Sequence, residues 1–261
     1  MSIVKVGNIE IGGNRVIVAA GPCAIESEEQ AVTIAKAVKK SGALIFRGGV
    51  YKPRTKRVSF QGLKEKGLKI LETVRKETGL PIITEVVDPR DVEKVYRVAD
   101  IFQIGSRNFQ NFPLLVEVGK TDKPVMIKRG MNARLDVYLS AVEYVTAEGN
   151  ERILLCERGI NALETHTRNT LDINAIMALK TVSTFPVFGD PSHGTGGRSD
   201  MVGRAAMACL VVGADGLLIE VHNKPDEALC DGDQALTLEQ FDGLMMDLKE
   251  LAATNAVGRI I

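Results

Sequence analysis

The chain has 261 residues, of which 45% are hydrophobic, and its 33 Lys and Arg residues balance its 33 Asp and Glu residues. This balance argues against nucleic acid or a membrane surface as the partner, because such partners select for an excess of basic residues. The four cysteines have no CxxC spacing, the N-terminus lacks a signal-peptide pattern and no run reaches the ~20 apolar residues of a membrane span, so we expect a cytoplasmic protein.

The first predicted element is a short β-hairpin within residues 1–14. Ile3–Val6 and Ile9–Gly12 flank Gly7 and Asn8, two residue types that accept the positive φ of a tight hairpin turn. We expect this hairpin to lie under the rest of the fold.

Eight short apolar runs follow, and a segment long enough for a helix separates each run from the next. The runs are Val16–Ala20, Ala43–Phe46, Pro81–Thr84, Asp100–Ile104, Pro124–Ile127, Arg152–Cys156, Pro186–Gly189 and Gly216–Glu220. Such runs are typical of parallel strands that are buried on both faces. The pattern predicts an α/β fold, a (β/α)8 TIM barrel, which takes about 250 residues. We expect one catalytic domain over residues 1–261, with no separate regulatory domain.

A doubly wound open sheet is the competing fold. It is disfavoured because the eight strands are evenly distributed and no GxGxxG motif follows the first of them.

Helix signals agree with the barrel. Ser27, with Gln30 three residues later, forms a capping-box pattern that opens a helix over Glu28–Ser41. Two further helices are predicted over Met201–Val212 and Phe241–Ala253, and the last closes the ring.

Ionisable residues follow the end of every predicted strand, and the carboxyl ends of its strands form the active-site face of a TIM barrel. The basic members of this set are Arg47, Lys52, Arg54, Arg107, Lys128 and Arg158. Converging cations repel one another unless an anion joins them, so the pattern predicts a small substrate with two anionic groups. The alternative for each residue is an ordinary ion pair with a nearby acid, such as Glu85 or Asp190.

A second set of residues could bind a metal ion. Cys23, His193 and Glu220 follow strands that neighbour one another in a closed barrel, and Asp231 in the next loop could fold back toward them. One thiolate, one imidazole and two carboxylates suit a single divalent ion such as Mn, Fe, Co or Zn. The spacing alone leaves this open, because Cys23 could be a buried core thiol and His193 could cap a loop.

Seven motifs in chain order then resemble those of a known family. They are GPCAIES (21–27), FRGGVYKPRT (46–55), IGSRNFQN (104–111), KRG (128–130), CERG (156–159), DPSHGTG (190–196) and IEVH (219–222). Together they resemble the compact microbial 3-deoxy-D-arabino-heptulosonate 7-phosphate synthases, which are related to 3-deoxy-D-manno-octulosonate 8-phosphate synthases. The KPRT segment at 52–55 favours the heptulosonate enzymes, since the octulosonate enzymes carry a KANRS-like sequence there.

The resemblance implies a metal-dependent transferase that condenses phosphoenolpyruvate with erythrose 4-phosphate and water, at the first step of the shikimate pathway of aromatic amino acid biosynthesis. It implies one divalent metal ion held by Cys23, His193, Glu220 and Asp231. It implies phosphoenolpyruvate contacts at Arg47, Lys52, Arg107, Lys128 and Arg158. It implies erythrose 4-phosphate contacts at Pro53, Arg54 and Thr55. It also implies a homotetramer.

Three residues carry the catalytic expectations. We expect Lys52 to act as an acid toward the new hydroxyl, Glu85 to handle the attacking water and His193 to act as part of the metal site. Three alternatives stay open: an octulosonate 8-phosphate synthase that uses arabinose 5-phosphate, a Schiff-base aldolase that uses Lys128, and a non-catalytic barrel that binds an anion and regulates a partner enzyme.

Overall fold

The computed structural model describes residues 2–54, 56–254, 259 and 261. Thr55, one of the expected erythrose 4-phosphate contacts, lies outside the described residues. Within the described part, no helix is long and apolar enough to cross a membrane.

The predicted N-terminal hairpin is confirmed. Its strands β1 (Val4–Val6) and β2 (Ile9–Ile11) pair antiparallel. Gly7 has a φ of 57°, as the tight turn requires. The apolar side chains of this hairpin pack into one buried cluster with the inward-facing residues of the barrel, including Ile17 at the start of the first barrel strand. The hairpin therefore closes one end of the barrel.

Eight parallel strands form the closed barrel, in the order β10-β3-β4-β5-β6-β7-β8-β9. They are β3 (Ile17–Gly21), β4 (Ile45–Arg47), β5 (Ile82–Glu85), β6 (Ile101–Ile104), β7 (Val125–Lys128), β8 (Ile153–Glu157), β9 (Val187–Gly189) and β10 (Gly216–Glu220). The predicted runs match these strands to within two residues at each end. The TIM barrel is confirmed, and the open sheet is wrong because β10 pairs with β3.

Helices lie between the strands. They are α1 (Glu28–Ser41), α2 (Glu65–Thr78), α3 (Val92–Tyr96), α4 (Phe112–Gly119), α5 (Leu135–Thr146), α6 (Ile173–Val182), α7 (Pro191–Gly194), α8 (Ser199–Val211) and α9 (Leu238–Ala252). Helix α1 has the predicted bounds, and Ser27 Oγ accepts a hydrogen bond from Gln30 N at 3.1 Å. Helix α9 begins three residues earlier than predicted, because Thr237 and Gln240 form a capping box there.

Strand alternation divides the barrel interior into two levels. On the hairpin side the inward-facing side chains are apolar: Ile45, Ile83, Ile101, Met126, Leu154, Phe188 and Leu218. Two residues later, five of the same strands carry inward polar side chains: Arg47, Glu85, Gln103, Lys128 and Glu220. Since successive side chains of a strand point to opposite faces, residues two apart share the interior. The polar level is the floor of the site.

Candidate active site

A cavity of about 420 Å³ opens at the carboxyl ends of the strands. All six basic residues singled out from the sequence line it, together with the expected contact Pro53 and the expected catalytic residues Glu85 and His193. The lining residues are Arg47, Lys52, Pro53, Arg54, Lys56, Ser59, Glu85, Gln103, Gly105, Ser106, Arg107, Lys128, Met131, Arg158, Asn161, Arg168, Asn169, His193 and Asp231. The predicted convergence of distant segments at one mouth of the barrel is therefore observed.

Arg47 and Glu220 form a buried ion pair at the base of this cavity. Arg47 Nη1 lies 2.8 Å from Glu220 Oε1 and also donates to the carbonyl of Pro22 at 2.9 Å. Burial would raise the pKa of Glu220, but His193 and Arg47 outweigh it and hold the pKa below its usual range. Glu220 is therefore a carboxylate at neutral pH, which is the form that a metal ligand needs.

Asp190 orients His193. Its Oδ2 lies 2.7 Å from His193 Nδ1 and also accepts a hydrogen bond from Lys128 Nζ. Burial would raise the pKa of Asp190, but the hydrogen bonds from His193 and the ammonium of Lys128 hold it well below its usual range. Burial lowers the pKa of His193, so its ring is neutral at neutral pH. With Nδ1 held by Asp190, Nε2 faces Glu220 Oε1 at 3.5 Å and is the nitrogen that could bind a metal.

Two cysteines meet beside this group. Cys23 Sγ lies 3.0 Å from Cys230 Sγ and donates to Asp231 Oδ2 at 3.3 Å. The hydrogen bond to Cys230, together with burial, raises the pKa of Cys23 well above its usual range. The same hydrogen bond lowers the pKa of Cys230. Of the two thiols, Cys23 is therefore the harder to deprotonate.

Asp231 links the candidate metal ligands. One set of ligand atoms within 4.8 Å of one another comes from His193, Glu220 and Asp231, and a second comes from Cys23, Cys230 and Asp231. Burial would raise the pKa of Asp231, but His193, Arg168 and Lys52 outweigh it and keep the pKa below its usual range. The structure thus brings all four predicted ligands to one place, as two overlapping groups, and adds Cys230. This set of sulfur, nitrogen and carboxylate donors fits a borderline divalent ion.

Arg158 and Lys52 also line the cavity. Arg158 is buried and donates from Nη1 to Asn169 Oδ1 at 2.8 Å, whereas its Nε has no hydrogen-bond partner among the described residues. Burial lowers the pKa of Arg158. Lys52 Nζ donates to the carbonyl of Cys23 at 3.2 Å. Burial would lower the pKa of Lys52, but Cys23, Cys230 and Glu85 raise it above its usual range, so the amine carries a proton at neutral pH.

Glu85 enters the cavity from the inner face of β5. A Cβ atom at position 105 would overlap its Oε1, so Gly105 makes the room that this carboxyl occupies. Burial raises the pKa of Glu85 despite the surrounding cations. A carboxyl whose pKa moves toward neutrality can exchange protons, so the acid–base role of Glu85 stays a prediction.

Lys52, Pro53 and Arg54 of the KPRT motif reach the same cavity from the loop after β4. Pro53 and Arg54 both line it. Arg54 Nη1 donates to Cys230 Sγ, so the residue expected to hold the aldose phosphate lies next to the candidate metal ligands. The two expected functions, aldose binding and metal binding, therefore share one wall.

Sequence reasoning missed five residues of this site: Asp190 as the orienting partner of His193, and Gln103, Arg168, Cys230 and Gln234. Alternation along β6 could have found Gln103, because it lies two residues after the apolar Ile101. His222, two residues after Glu220, has its ring engaged by other residues. Its Nδ1 accepts from the backbone N of Lys224 at 3.0 Å and its Nε2 lies 3.5 Å from Glu26.

The family model of the DAHP synthetase I family matches residues 2–255. A phospho-2-dehydro-3-deoxyheptonate aldolase of Thermotoga maritima is 43% identical over 96% of this chain and 74% of its own length. A 2-dehydro-3-deoxyphosphooctonate aldolase of Syntrophotalea carbinolica is 34% identical over 97% of this chain and 96% of its own length.

Two solved structures from Thermotoga maritima superpose on the whole chain. A phospho-2-dehydro-3-deoxyheptonate aldolase (DAHP synthase) has a TM-score of 0.94 at 41% identity, with 75% of its own chain covered. A truncated form of 3-deoxy-D-arabino-heptulosonate 7-phosphate synthase has a TM-score of 0.91 at 38% identity, with 95% of its chain covered.

Proposed function

The chain belongs to the DAHP synthetase I family, so it is an enzyme that makes 3-deoxy-D-arabino-heptulosonate 7-phosphate, and we propose that its rim cavity is where phosphoenolpyruvate and erythrose 4-phosphate react. The observation that carries this proposal is the convergence of six basic side chains on one cavity of about 420 Å³. Two of them, Arg47 and Arg158, have a buried Nε without a hydrogen-bond partner among the described residues. A buried polar group normally has a hydrogen-bond partner, and an acceptor oxygen of a ligand or of an ordered water would supply one.

Phosphoenolpyruvate binds, in this proposal, to five of the cations that line the cavity. Its carboxylate and phosphate are the two anionic groups that the sequence pattern predicts, and Arg forks suit both of them. The residues assigned to it are Arg47, Lys52, Arg107, Lys128 and Arg158. Their positions on several different strands would hold the molecule from several sides, and such positioning can supply ~7–11 kcal/mol of barrier reduction.

Erythrose 4-phosphate is assigned to Pro53, Arg54 and Thr55 by the resemblance of the KPRT motif. Two observations favour it over arabinose 5-phosphate. The segment at 52–55 reads KPRT. The heptulosonate relative is also more similar, at 43% identity against 34% for the octulosonate relative from Syntrophotalea carbinolica.

One divalent ion, Mn, Co, Fe or Zn, is assigned to Cys23, His193, Glu220 and Asp231, with Cys230 as a further donor beside them. When bound, such an ion acts as a Lewis acid that polarises an aldehyde carbonyl. The protonation states of three ligands suit this role. Glu220 and Asp231 are held as carboxylates, and His193 is held neutral with Nε2 free of Asp190.

The reaction joins the methylene carbon of phosphoenolpyruvate to the aldehyde carbon of the sugar phosphate. The aldehyde oxygen takes up a proton and becomes a hydroxyl. Water adds to the second carbon of the former enol and loses one proton, which leaves a hydroxyl beside the phosphate on that carbon. The bond from the carbon to the phosphate oxygen then breaks, the hydroxyl becomes the ketone carbonyl, and its proton leaves with the phosphate as inorganic phosphate. Lys52, which carries a proton at neutral pH, supplies the proton to the new hydroxyl, and Glu85 accepts the proton of the water.

Phosphate release tests this proposal directly. The purified protein, stripped of metal with a chelator, receives phosphoenolpyruvate with either erythrose 4-phosphate or arabinose 5-phosphate, with and without added Mn²⁺ or Co²⁺. We expect turnover only with erythrose 4-phosphate plus metal. Full activity of the metal-free protein would defeat the metal assignment, and a preference for arabinose 5-phosphate would favour the octulosonate reaction.

Arg54→Ala separates the two substrates. We expect it to raise the KM for erythrose 4-phosphate far more than the KM for phosphoenolpyruvate, because only the aldose phosphate is assigned to Arg54. Equal effects on both constants would argue against the assignment. Borohydride trapping with substrate tests the Schiff-base alternative at Lys128, and we expect no trapped adduct.

We also propose a cytoplasmic homotetramer. The support is the resemblance of the motifs to the compact microbial enzymes. Light scattering after gel filtration measures the mass, and a monomer at micromolar concentration would contradict this assembly.

A further inference from the structure

Gln234 connects two charged residues of the site. Its Nε2 donates to Glu220 Oε2 at 2.6 Å, and its Oε1 accepts from Arg168 Nη2 at 2.6 Å. Its side chain is buried. Gln234 therefore lies between a candidate metal ligand and a cation that lines the cavity.

An amide suits this bridge as it stands. An ionised carboxylate such as Glu220 only accepts hydrogen bonds, and a guanidinium such as Arg168 only donates them. A side chain between the two needs a donor at one end and an acceptor at the other. The amide of Gln234 meets this need in one orientation, with its nitrogen toward Glu220 and its oxygen toward Arg168.

This bridge completes the set of bonds that fix the Glu220 carboxylate. Oε1 accepts from Arg47 Nη1 at 2.8 Å, and Oε2 accepts from Gln234. The backbone N–H of Glu220 donates to Ser192 Oγ at 2.9 Å. Each carboxylate oxygen thus has its own donor, and rotation of the carboxylate would break both bonds.

The backbone around Gln234 is tied to the same strand. Gln234 ends a short 3₁₀ helix (Gly232–Gln234) that begins directly after Asp231. Two residues later, Leu236 N donates to the carbonyl of Glu220, and His222 N donates to the carbonyl of Leu236, both at 2.9 Å. The position of the amide is therefore set by the barrel strand on which its target lies.

Arg168 extends the bridge to the neighbouring loop. Its Nη1 donates to Asp231 Oδ1 at 3.4 Å, and its backbone N donates to the carbonyl of Gly196 at 3.1 Å. One guanidinium thereby contacts both Gln234 and the candidate ligand Asp231. The loops after β8, β9 and β10 meet at this group.

We propose that Gln234 is a positioning residue of the candidate metal centre: it fixes the orientation of the Glu220 carboxylate and, through Arg168, the position of Asp231. The inference rests on the metal-assisted function proposed above. Outer partners that orient metal ligands typically contribute 10- to 100-fold to metal affinity or activity. Gln234 touches neither substrate nor metal in this assignment.

The test measures metal binding without turnover. Metal-stripped protein is titrated with MnCl₂ alone in a calorimeter, in the absence of both substrates. Gln234→Met keeps the length of the side chain and removes both hydrogen bonds. Gln234→Glu keeps the shape but removes the donor toward Glu220. We expect both variants to bind Mn²⁺ about 10- to 100-fold more weakly than the wild type.

Asn150→Leu is the matched control. Asn150 is a buried amide at the opposite end of the barrel, where its Nδ2 donates to the carbonyls of Thr121 and Lys123. Its replacement also removes buried amide hydrogen bonds, so it reproduces a general loss of stability. We expect its Mn²⁺ affinity to equal that of the wild type. A second measurement compares kcat with the dissociation constant for Mn²⁺. In Gln234→Met, saturating Mn²⁺ should restore most of kcat while the dissociation constant stays raised.

The outcomes separate this inference from the function on which it rests. Wild-type Mn²⁺ binding that is lost in Cys23→Ala but unchanged in Gln234→Met would overturn the inference alone. A wild-type protein that binds no Mn²⁺ would overturn the metal-assisted function and the inference together. If Gln234→Met does not fold, Arg168→Met carries the test, because its half-exposed side chain can be shortened without a cavity. We expect a weakening of about 2- to 10-fold, and an unchanged affinity would overturn the inference.

Discussion

The two levels of the barrel interior use the same strands and the same inward-facing positions, yet they differ in what they contain. On the hairpin side the strands place apolar residues inside, and these pack with the hairpin into one buried cluster. Two residues further along, at a distance of about 7 Å, five of the same strands place Arg47, Glu85, Gln103, Lys128 and Glu220 inside. A shift of two residues along each strand therefore separates the apolar core from the polar side chains of the candidate site.

This difference shows how a barrel can assign stability and function to separate levels. The apolar level gains free energy by removing side chains from water. The polar level buries charges, and burial of charge costs free energy unless each charge is paired. A mutation at the apolar level should therefore lower mainly the free energy of unfolding. A mutation at the polar level should lower mainly the catalytic rate.

Leu154→Ala probes the apolar level and should have the largest effect. Leu154 is fully buried and faces inward on β8. Its truncation should lower the free energy of unfolding by about 2–5 kcal/mol, because a cavity is left among packed neighbours. Urea denaturation measures this loss. The KM for each substrate should stay at its wild-type value, and a large change in KM would show that the two levels are not independent.

Arg107→Met probes the polar level. Arg107 has no hydrogen bond or ion pair with any other residue that the structure describes, so its loss leaves no buried acid unpaired. We expect kcat/KM to fall by about 10²- to 10³-fold, as when one preorganised donor to an anion is removed. The melting temperature should hardly change. Arg97→Met on the exposed surface is the control for the substitution itself and should retain full kcat/KM.

Glu85→Gln tests how much stability the protein loses by burying a charge at the polar level. The pH dependence of unfolding reports this loss. Burial raises the pKa of Glu85 above its ordinary value of 4.5 in the folded protein. Between pH 4.5 and the raised pKa, the folded protein holds a proton that the unfolded chain has released, so wild-type stability falls as pH rises through this window. Glutamine resembles the protonated form and lacks this loss.

The variant should therefore melt at a higher temperature than the wild type at pH 8, and the gap should close as the pH falls toward 4.5. Thermal unfolding over this pH series measures it. The limit for one proton is about 1.4 kcal/mol per pH unit. A gap that is constant with pH would mean that Glu85 does not titrate between the folded and unfolded states.

Lys64→Gly should have the smallest effect and lies outside both levels. Lys64 precedes α2 with a φ of 54° and a ψ of −127°, a conformation that side chains with a Cβ adopt at a cost. Glycine removes that cost, and we expect a gain of about 1 kcal/mol in unfolding free energy, or about 2–4 °C in melting temperature. A loss of stability would show that the Lys64 side chain contributes more than its backbone costs.

The sequence predicted most of the barrel because its strands are buried on both faces and stand out as apolar runs. It also predicted the cations of the cavity, because residues at strand ends in a barrel must share one face. The positions of Arg47, Lys128 and Glu220 could be predicted from the strands alone, without knowing how the loops run. Gln103 could have been added by the same alternation, since it follows Ile101 by two residues.

The loops set the limit of such reasoning. Cys230, Gln234 and Arg168 reach the site only because the segments after β8 and β10 fold back, and no local pattern predicts that path. Asp190 had a visible signal as the residue before Pro191, which is typical of a helix N-cap. Its carboxyl does accept from His193 N at 3.0 Å, but its second bond, to the ring of His193, depends on a side-chain rotamer.

The buried Nε atoms of Arg47 and Arg158 have no hydrogen-bond partner among the described residues, and they make this part of the interior locally frustrated. An anion that supplies the missing acceptors relieves this frustration, and mass action then transfers its binding free energy to the fold. The melting temperature therefore reports how far the cavity is occupied by an anion. Phosphoenolpyruvate should raise the melting temperature even without a second substrate. Substrate binding and the stability of the barrel are in this sense linked through the same two arginines.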